Sequence, residues 1–126
     1  MKRVIIAAIL LAAVLGLSIF SHFSLMNACV SLTAALTDVR TAARNGDENE
    51  LKILTEKALI QWQKEKTLFH ILIHHNLMTE LETSMKKAEY HTAAGEIDEV
   101  YAEAENCIEN ISHIKESSTP SISNIF

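Results

Sequence analysis

The chain has 126 residues, 48% of them hydrophobic, and a formal net charge of −5. Nucleic acid is bound through clustered Lys and Arg, so sixteen Asp and Glu against eleven Lys and Arg argue against that class of partner. Only three Gly and one Pro interrupt a chain rich in Ala, Leu, Glu and Lys, and no segment alternates β-branched with polar residues, so helices are expected and a sheet is not.

The first element is the most informative. Lys2 and Arg3 precede residues 4–20, a run without a charge. A helix needs about 20 apolar residues to span a bilayer, with about 17 as the lower bound. Continuing to Met26 adds Phe23 and Leu25, with Ser21, His22 and Ser24 at headgroup level. The next cationic side chain after Arg3 is Arg40, so the positive-inside bias predicts a cytoplasmic N-terminus and an extracytoplasmic remainder in the cell membrane. A cleaved signal peptide fits less well, because the run is long and the best site, after Ser21, has Ile19 at its −3 position. The lipoprotein-like Met26-Asn27-Ala28-Cys29 is separated from the apolar run by polar residues. Residues 1–26 are therefore expected to be a cytoplasmic tip and uncleaved transmembrane anchor. The remainder holds nine Lys and Arg against sixteen Asp and Glu, dispersed between apolar residues as on a solvated bundle.

Cys29, Leu32, Leu36, Val39 and Ala43 recur at spacings 3, 4, 3, 4, one stripe of a helix that continues from the anchor without a breaker. Asn45-Gly46 predicts its end. Asp47 with Glu50 reads as a capping box opening a second helix, with Leu51, Leu54, Ala58, Trp62 and Phe69 inward and Ile53, Ile60, Leu68 and Leu72 widening the stripe. Nothing in the pattern stops this helix before Gly95. Geometry does: from 48 to 94 it would be about 69 Å long and would run into the bilayer beside a first helix whose exported part is about 36 Å. A break near His75-Asn76, with Asn76 as N-cap, resolves the conflict. The third helix then turns Met78, Leu81, Met85 and Ala88 inward. A fourth begins near Glu96, with Ile97, Tyr101, Ala104, Ile108 and Ile111 inward.

The predicted architecture is all-α: a transmembrane helix continuing into an extracytoplasmic up-down-up-down four-helix bundle over residues 27–117, then a C-terminal tail, 118–126. In that tail Ile122, Ile125 and Phe126 are expected to pack beneath the bundle or to touch the membrane interface.

Candidate chemistry is sparse. His70 and His74 are four residues apart with His75 beside them, a spacing that suits two ligands on one transition metal. The bundle order also brings His22 and His113 toward that end, so five of six histidines gather there. A metal site at His70, His74 and His75, or proton sensing, is one reading. Partly buried or interfacial histidine with backbone partners is the more frequent one, since no His-Glu-x-x-His pattern and no clear third ligand are present. A disulfide between Cys29 and Cys107 is chemically open outside the cytoplasm, but an axial offset of about 7 Å strains it, and small buried thiols are preferred. Trp62, Phe69 and Tyr101 sit at core spacing. Neither a nucleophile elbow nor a glycine-rich phosphate loop occurs, so no catalytic residue, no cofactor and no enzyme are expected.

Several segments together resemble a known family: the Lys-Arg start, the Ile-Phe-Ser-His exit from the apolar run, Cys29, the Trp62 helix, Leu72-Ile73-His74-His75 and the terminal Ser-Asn-Ile-Phe. The chain resembles the domain of unknown function family four-three-six-three, small single-pass membrane proteins of spore-forming Gram-positive bacteria. That resemblance implies a membrane-anchored helical domain working through a partner, and carries no catalytic residues. The expected function is a non-enzymatic accessory or interaction module for another envelope protein or for itself. The alternative is a sensor-like four-helix domain, similar to the periplasmic domains of chemoreceptors, binding a metal or small ligand near the membrane.

Overall fold

The computed structural model describes residues 1–118, and the expected packing of the tail lies outside them. These residues form four helices and no strand: α1 (Lys2–Asn45), α2 (Glu48–Leu72), α3 (His75–Ala93) and α4 (Ile97–Ser118). The all-α expectation is met.

Helix α1 is unbroken over 44 residues, about 66 Å at 1.5 Å per residue. It passes through two environments. Residues 4–20 are exposed on every side, with Ile9, Leu10 and Leu11 each about 60% accessible. From Leu25 onward one stripe is buried: Leu25, Cys29, Leu32, Leu36 and Val39. The spacing that marked this stripe in the sequence is the spacing that packs.

The ends of α1 and α3 are built alike. Gly46 donates to the Ala43 carbonyl and Asp47 to that of Ala42; Gly95 donates to Thr92 and Glu96 to His91. Both are Schellman caps, which close the last helical turn through a residue in the left-handed region. Gly46 has φ 72° and Gly95 φ 74°, a conformation costing a residue with a Cβ about 1–2 kcal/mol. In each case an acid follows. Asp47 accepts from the Glu50 amide at 3.1 Å and so caps α2 as its sequence position predicts.

The break between α2 and α3 falls slightly earlier than expected. Helix α2 stops at Leu72, Ile73 is extended, and His74 rather than Asn76 occupies the cap of α3, its Nδ1 accepting from the Asn76 amide at 3.4 Å. No Gly or Pro enforces this turn. Leu72, Ile73 and Leu77 instead pack around it against the core, so tertiary burial places the break.

The helices pack as a bundle in which α1 and α3 each lie against both α2 and α4. Trp62 and Phe69 pack against each other on the inner face of α2 with ring centroids 5.7 Å apart, and Phe69 has no exposed surface. Helix α3 contributes Met78, Leu81, Met85 and Ala88, as predicted. Two expectations are corrected. Ile53 and Ile60 do not widen the α2 stripe; each is 55% exposed. In α4 the fully buried line is Val100, Ala104, Cys107, Ile111 and Ile114, while Ile97, Tyr101 and Ile108 are only half-buried beside it.

Polar pairs tie the edges. Arg40 meets Glu105 at 2.8 Å and Arg44 donates to the Tyr101 hydroxyl at 3.1 Å, while Lys66 faces Glu82 at 3.7 Å. Inside, the Thr92 hydroxyl donates to the Ala88 carbonyl at 2.7 Å, so Thr55 supplies the proton of the 3.3 Å contact between the two threonines. Burying the two hydroxyls without such partners would cost about 1–3 kcal/mol each.

Candidate functional site

The candidate histidines surround the α2–α3 turn. His70 is exposed in the last turn of α2. His74 is taken up as the α3 cap, and His75 is exposed in the first turn. The spacing argument for a metal pair assumed one continuous helix through 70 and 74. Because α2 ends at Leu72, the two residues belong to different elements and do not stack on one face. Among the described residues no group of three or more His, Cys, Asp or Glu side chains could hold a metal ion.

The gathering of histidines at one end is nevertheless visible. One cleft is lined by Leu72, Ile73, His74, Asn76, Leu77 and Ser117. An adjoining cleft is lined by Ser21, His22, Leu25, Leu72 and Ser117. The start of the buried part of α1, the α2–α3 turn and the end of α4 therefore meet. His22 is half-buried against Phe23, ring centroids 6.1 Å apart. His113, on the last turns of α4, lies between Glu109 and Glu116 at 3.8 and 3.9 Å. The sixth, His91, sits at the opposite end with its Nδ1 3.6 Å from Glu96. The two clefts at the His22 and His74 end are lined by both apolar and polar residues, and among the described residues no convergent set of groups for acid–base or nucleophilic chemistry lines them.

Cys29 and Cys107 are free thiols without exposed surface on the neighbouring helices α1 and α4. Burial pushes the Cys29 thiol up to about 11, and the Glu65 carboxylate adds to the rise while Lys115 opposes it. Burial likewise pushes Cys107 up to about 12, helped by the Glu103 carboxylate. Both stay protonated at neutral pH, which removes the nucleophilic form. A raised thiol pKa favours folding below the unfolded value of 9.0 and loses that contribution as pH climbs through the folded values. Melting temperature is expected to show no thiol-dependent slope below about pH 9 and to fall above it, with a shallower fall in Cys107→Ala. Alkylation by iodoacetamide at pH 8 should require unfolding; rapid labelling of the native protein would contradict this burial.

Sequence reasoning missed the cross-helix pairs of Arg40 and Arg44, because nothing local identifies a partner some 60 residues away. The described residues form an all-helical bundle, and among them one helix is long and apolar enough to cross a membrane. The chain belongs to the family described as Domain of unknown function (DUF4363), which it matches over residues 19–125. No curated protein and no solved structure matches it.

Proposed function

We propose that the protein is a membrane-anchored, non-enzymatic interaction module: an up-down-up-down bundle on the outer face of the cell membrane that works by docking onto other envelope proteins or itself. The observation that carries this reading is the continuity of α1. Its bare apolar segment passes without a hinge into a core strut, so the bundle is held rigidly at the surface rather than on a flexible tether. The proposed helix order is supported by the pairings. Arg40 meets Glu105 and, one turn later, Arg44 meets Tyr101 one turn earlier, so α1 and α4 run in opposite directions. Thr55 with Thr92 and Lys66 with Glu82 give the same relation for α2 and α3. Lys2 and Arg3 favour a cytoplasmic N-terminus.

The sensor alternative draws on the two adjoining clefts that hold His22 and His74. Affinity capture of the tagged full-length protein from gently solubilised membranes, with mass spectrometry and metal analysis of the eluate, separates the readings. A stoichiometric envelope protein, or the chain itself as an oligomer, is the expected result. A monomer carrying one metal ion would overturn it in favour of the sensor.

A further inference from the structure

We infer that a second copy of this chain docks in parallel along the outer face of α1, forming a two-fold dimer whose seam runs from the anchor toward the distal end of α1. The inference rests on the reading of α1 as an anchor, since the bilayer is what fixes the parallel direction, and it names the partner of that module.

The face is defined by Phe20, Phe23, Asn27, Val30, Ala34 and Thr41. All six are exposed, Phe23 by 62% and Val30 by 56%, and they lie on the side of α1 opposite the buried stripe of Leu25, Leu32, Leu36 and Val39. Their spacings are 3, 4, 3, 4 and 7, the repeat of a coiled-coil seam. The core stripe has the same repeat, so α1 carries two seams and the bundle fills only one.

Charge distinguishes this face from every other. Residues 4–37 contain no Asp, Glu, Lys or Arg. That is about 51 Å of helix, against a hydrocarbon core of about 30 Å, so about 20 Å of uncharged helix surface stands clear of the lipid. Exposed faces of the other helices are charged: Lys57 and Lys64 on α2, Lys86 and Glu89 on α3, Glu109 and Glu116 on α4.

In a two-fold dimer the same patch meets itself, so a face of one charge repels its copy. The outer line of α4, with Asp98, Glu109 and Glu116, is excluded on that ground. The exposed isoleucines of α2, Ile53, Ile60 and Ile71, share their line with Lys57 and Lys64 and are disfavoured for the same reason. The α1 face is uncharged from Phe20 to Thr37, and Asp38 alone flanks its line before Thr41. Two copies anchored in one membrane with one orientation present it in matching register. Identical residues then oppose one another, and Asn27 can bond its own counterpart, the arrangement by which a single seam asparagine selects a two-stranded pairing. Deeper in the anchor the same line reaches Gly16, where a Cβ would meet nothing within 4 Å, leaving room for close approach of two helices. A strip from the anchor to Thr41 is about 50 Å long and about 10 Å wide per helix, so the pair covers about 1,000 Å² in total, the lower limit for a specific interface.

The test uses the full-length chain in its native membrane with one added cysteine at a time, the two native thiols being buried. Under copper-phenanthroline oxidation, Val30→Cys and Ala34→Cys should give a reducible band of dimer mass at least tenfold stronger than Ile60→Cys or Glu109→Cys. Adding Ala34→Glu to Val30→Cys should remove that band and leave helicity unchanged. Equal cross-linking at all positions, monomer throughout, or a Val30→Cys adduct of a different mass would overturn the proposal. Carbonate washing of the same sample separates the two readings. Pelleted protein without cross-linking sinks the dimer alone. Soluble protein with cross-linking at Val30 sinks the anchor and leaves the seam. Soluble protein without cross-linking sinks both.

Discussion

Replacing Leu10 and Leu11 together by Arg is expected to move the protein from the membrane fraction to the soluble or degraded fraction. Both residues lie in the middle of the bare segment, each more than 60% exposed, with no protein surface to cover an introduced charge. Exchanging a leucine for an arginine at the centre of a spanning helix costs about 3–4 kcal/mol on insertion scales. Two exchanges cost about 7 kcal/mol, a shift of about five orders of magnitude in the insertion equilibrium. The bundle itself should survive, because neither side chain touches its core. Fractionation after alkaline carbonate washing, with circular dichroism of the released protein, checks both halves. Retention of the double variant in washed membranes would show that something other than residues 4–20 holds the chain there.

Phe69→Ala carries the second large effect. The Phe69 ring has no exposed surface and lies against Trp62 near the α2–α3 turn. Truncating a buried phenylalanine removes its transfer free energy and leaves a cavity, together about 3–5 kcal/mol. A bundle of this size has a total stability of about 5–15 kcal/mol, so the variant sits at or near the unfolding threshold. Ile60→Ala on the same helix should change stability by less than about 0.5 kcal/mol, because that side chain faces outward. Urea titration of the two variants decides the point. Equal losses would mean that the α2 core face has been wrongly placed.

The contrast between those two residues shows how far the sequence carries. Periodicity alone marked the inward line of α3, whose single apolar series is flanked by polar residues, and that of α1 beyond Leu25, where the line through Leu32, Leu36 and Val39 carries the larger aliphatic side chains. Asp47, Gly46 and Gly95 announced their turns through local chemistry that acts within a few residues. Helix α4 offered two series of identical spacing. The series from Ile97 through Ile111 continues to Lys115, whereas the one from Val100 through Ile111 continues to Ile114. That charge was a legible sign of the wrong line, and the larger side chains of Ile97 and Tyr101 obscured it. The α2–α3 break had no local signature. It was anticipated only by matching helix lengths, and its placement at Ile73 depends on contacts with the core. The histidine spacing misled for the same reason: residues 70 and 74 are neighbours on a helix only if the helix continues, and it does not.

The central claim is that α1 crosses the membrane and holds the bundle outside. Labelling of intact cells with a membrane-impermeant maleimide tests it most directly, using Lys2→Cys and Glu109→Cys as reporters over a low background from the buried Cys29 and Cys107. The account predicts strong labelling at 109, labelling at 2 only after permeabilisation, and both variants in the membrane pellet. Labelling at 2 with protection at 109, or recovery of either variant without its N-terminal segment, would contradict it.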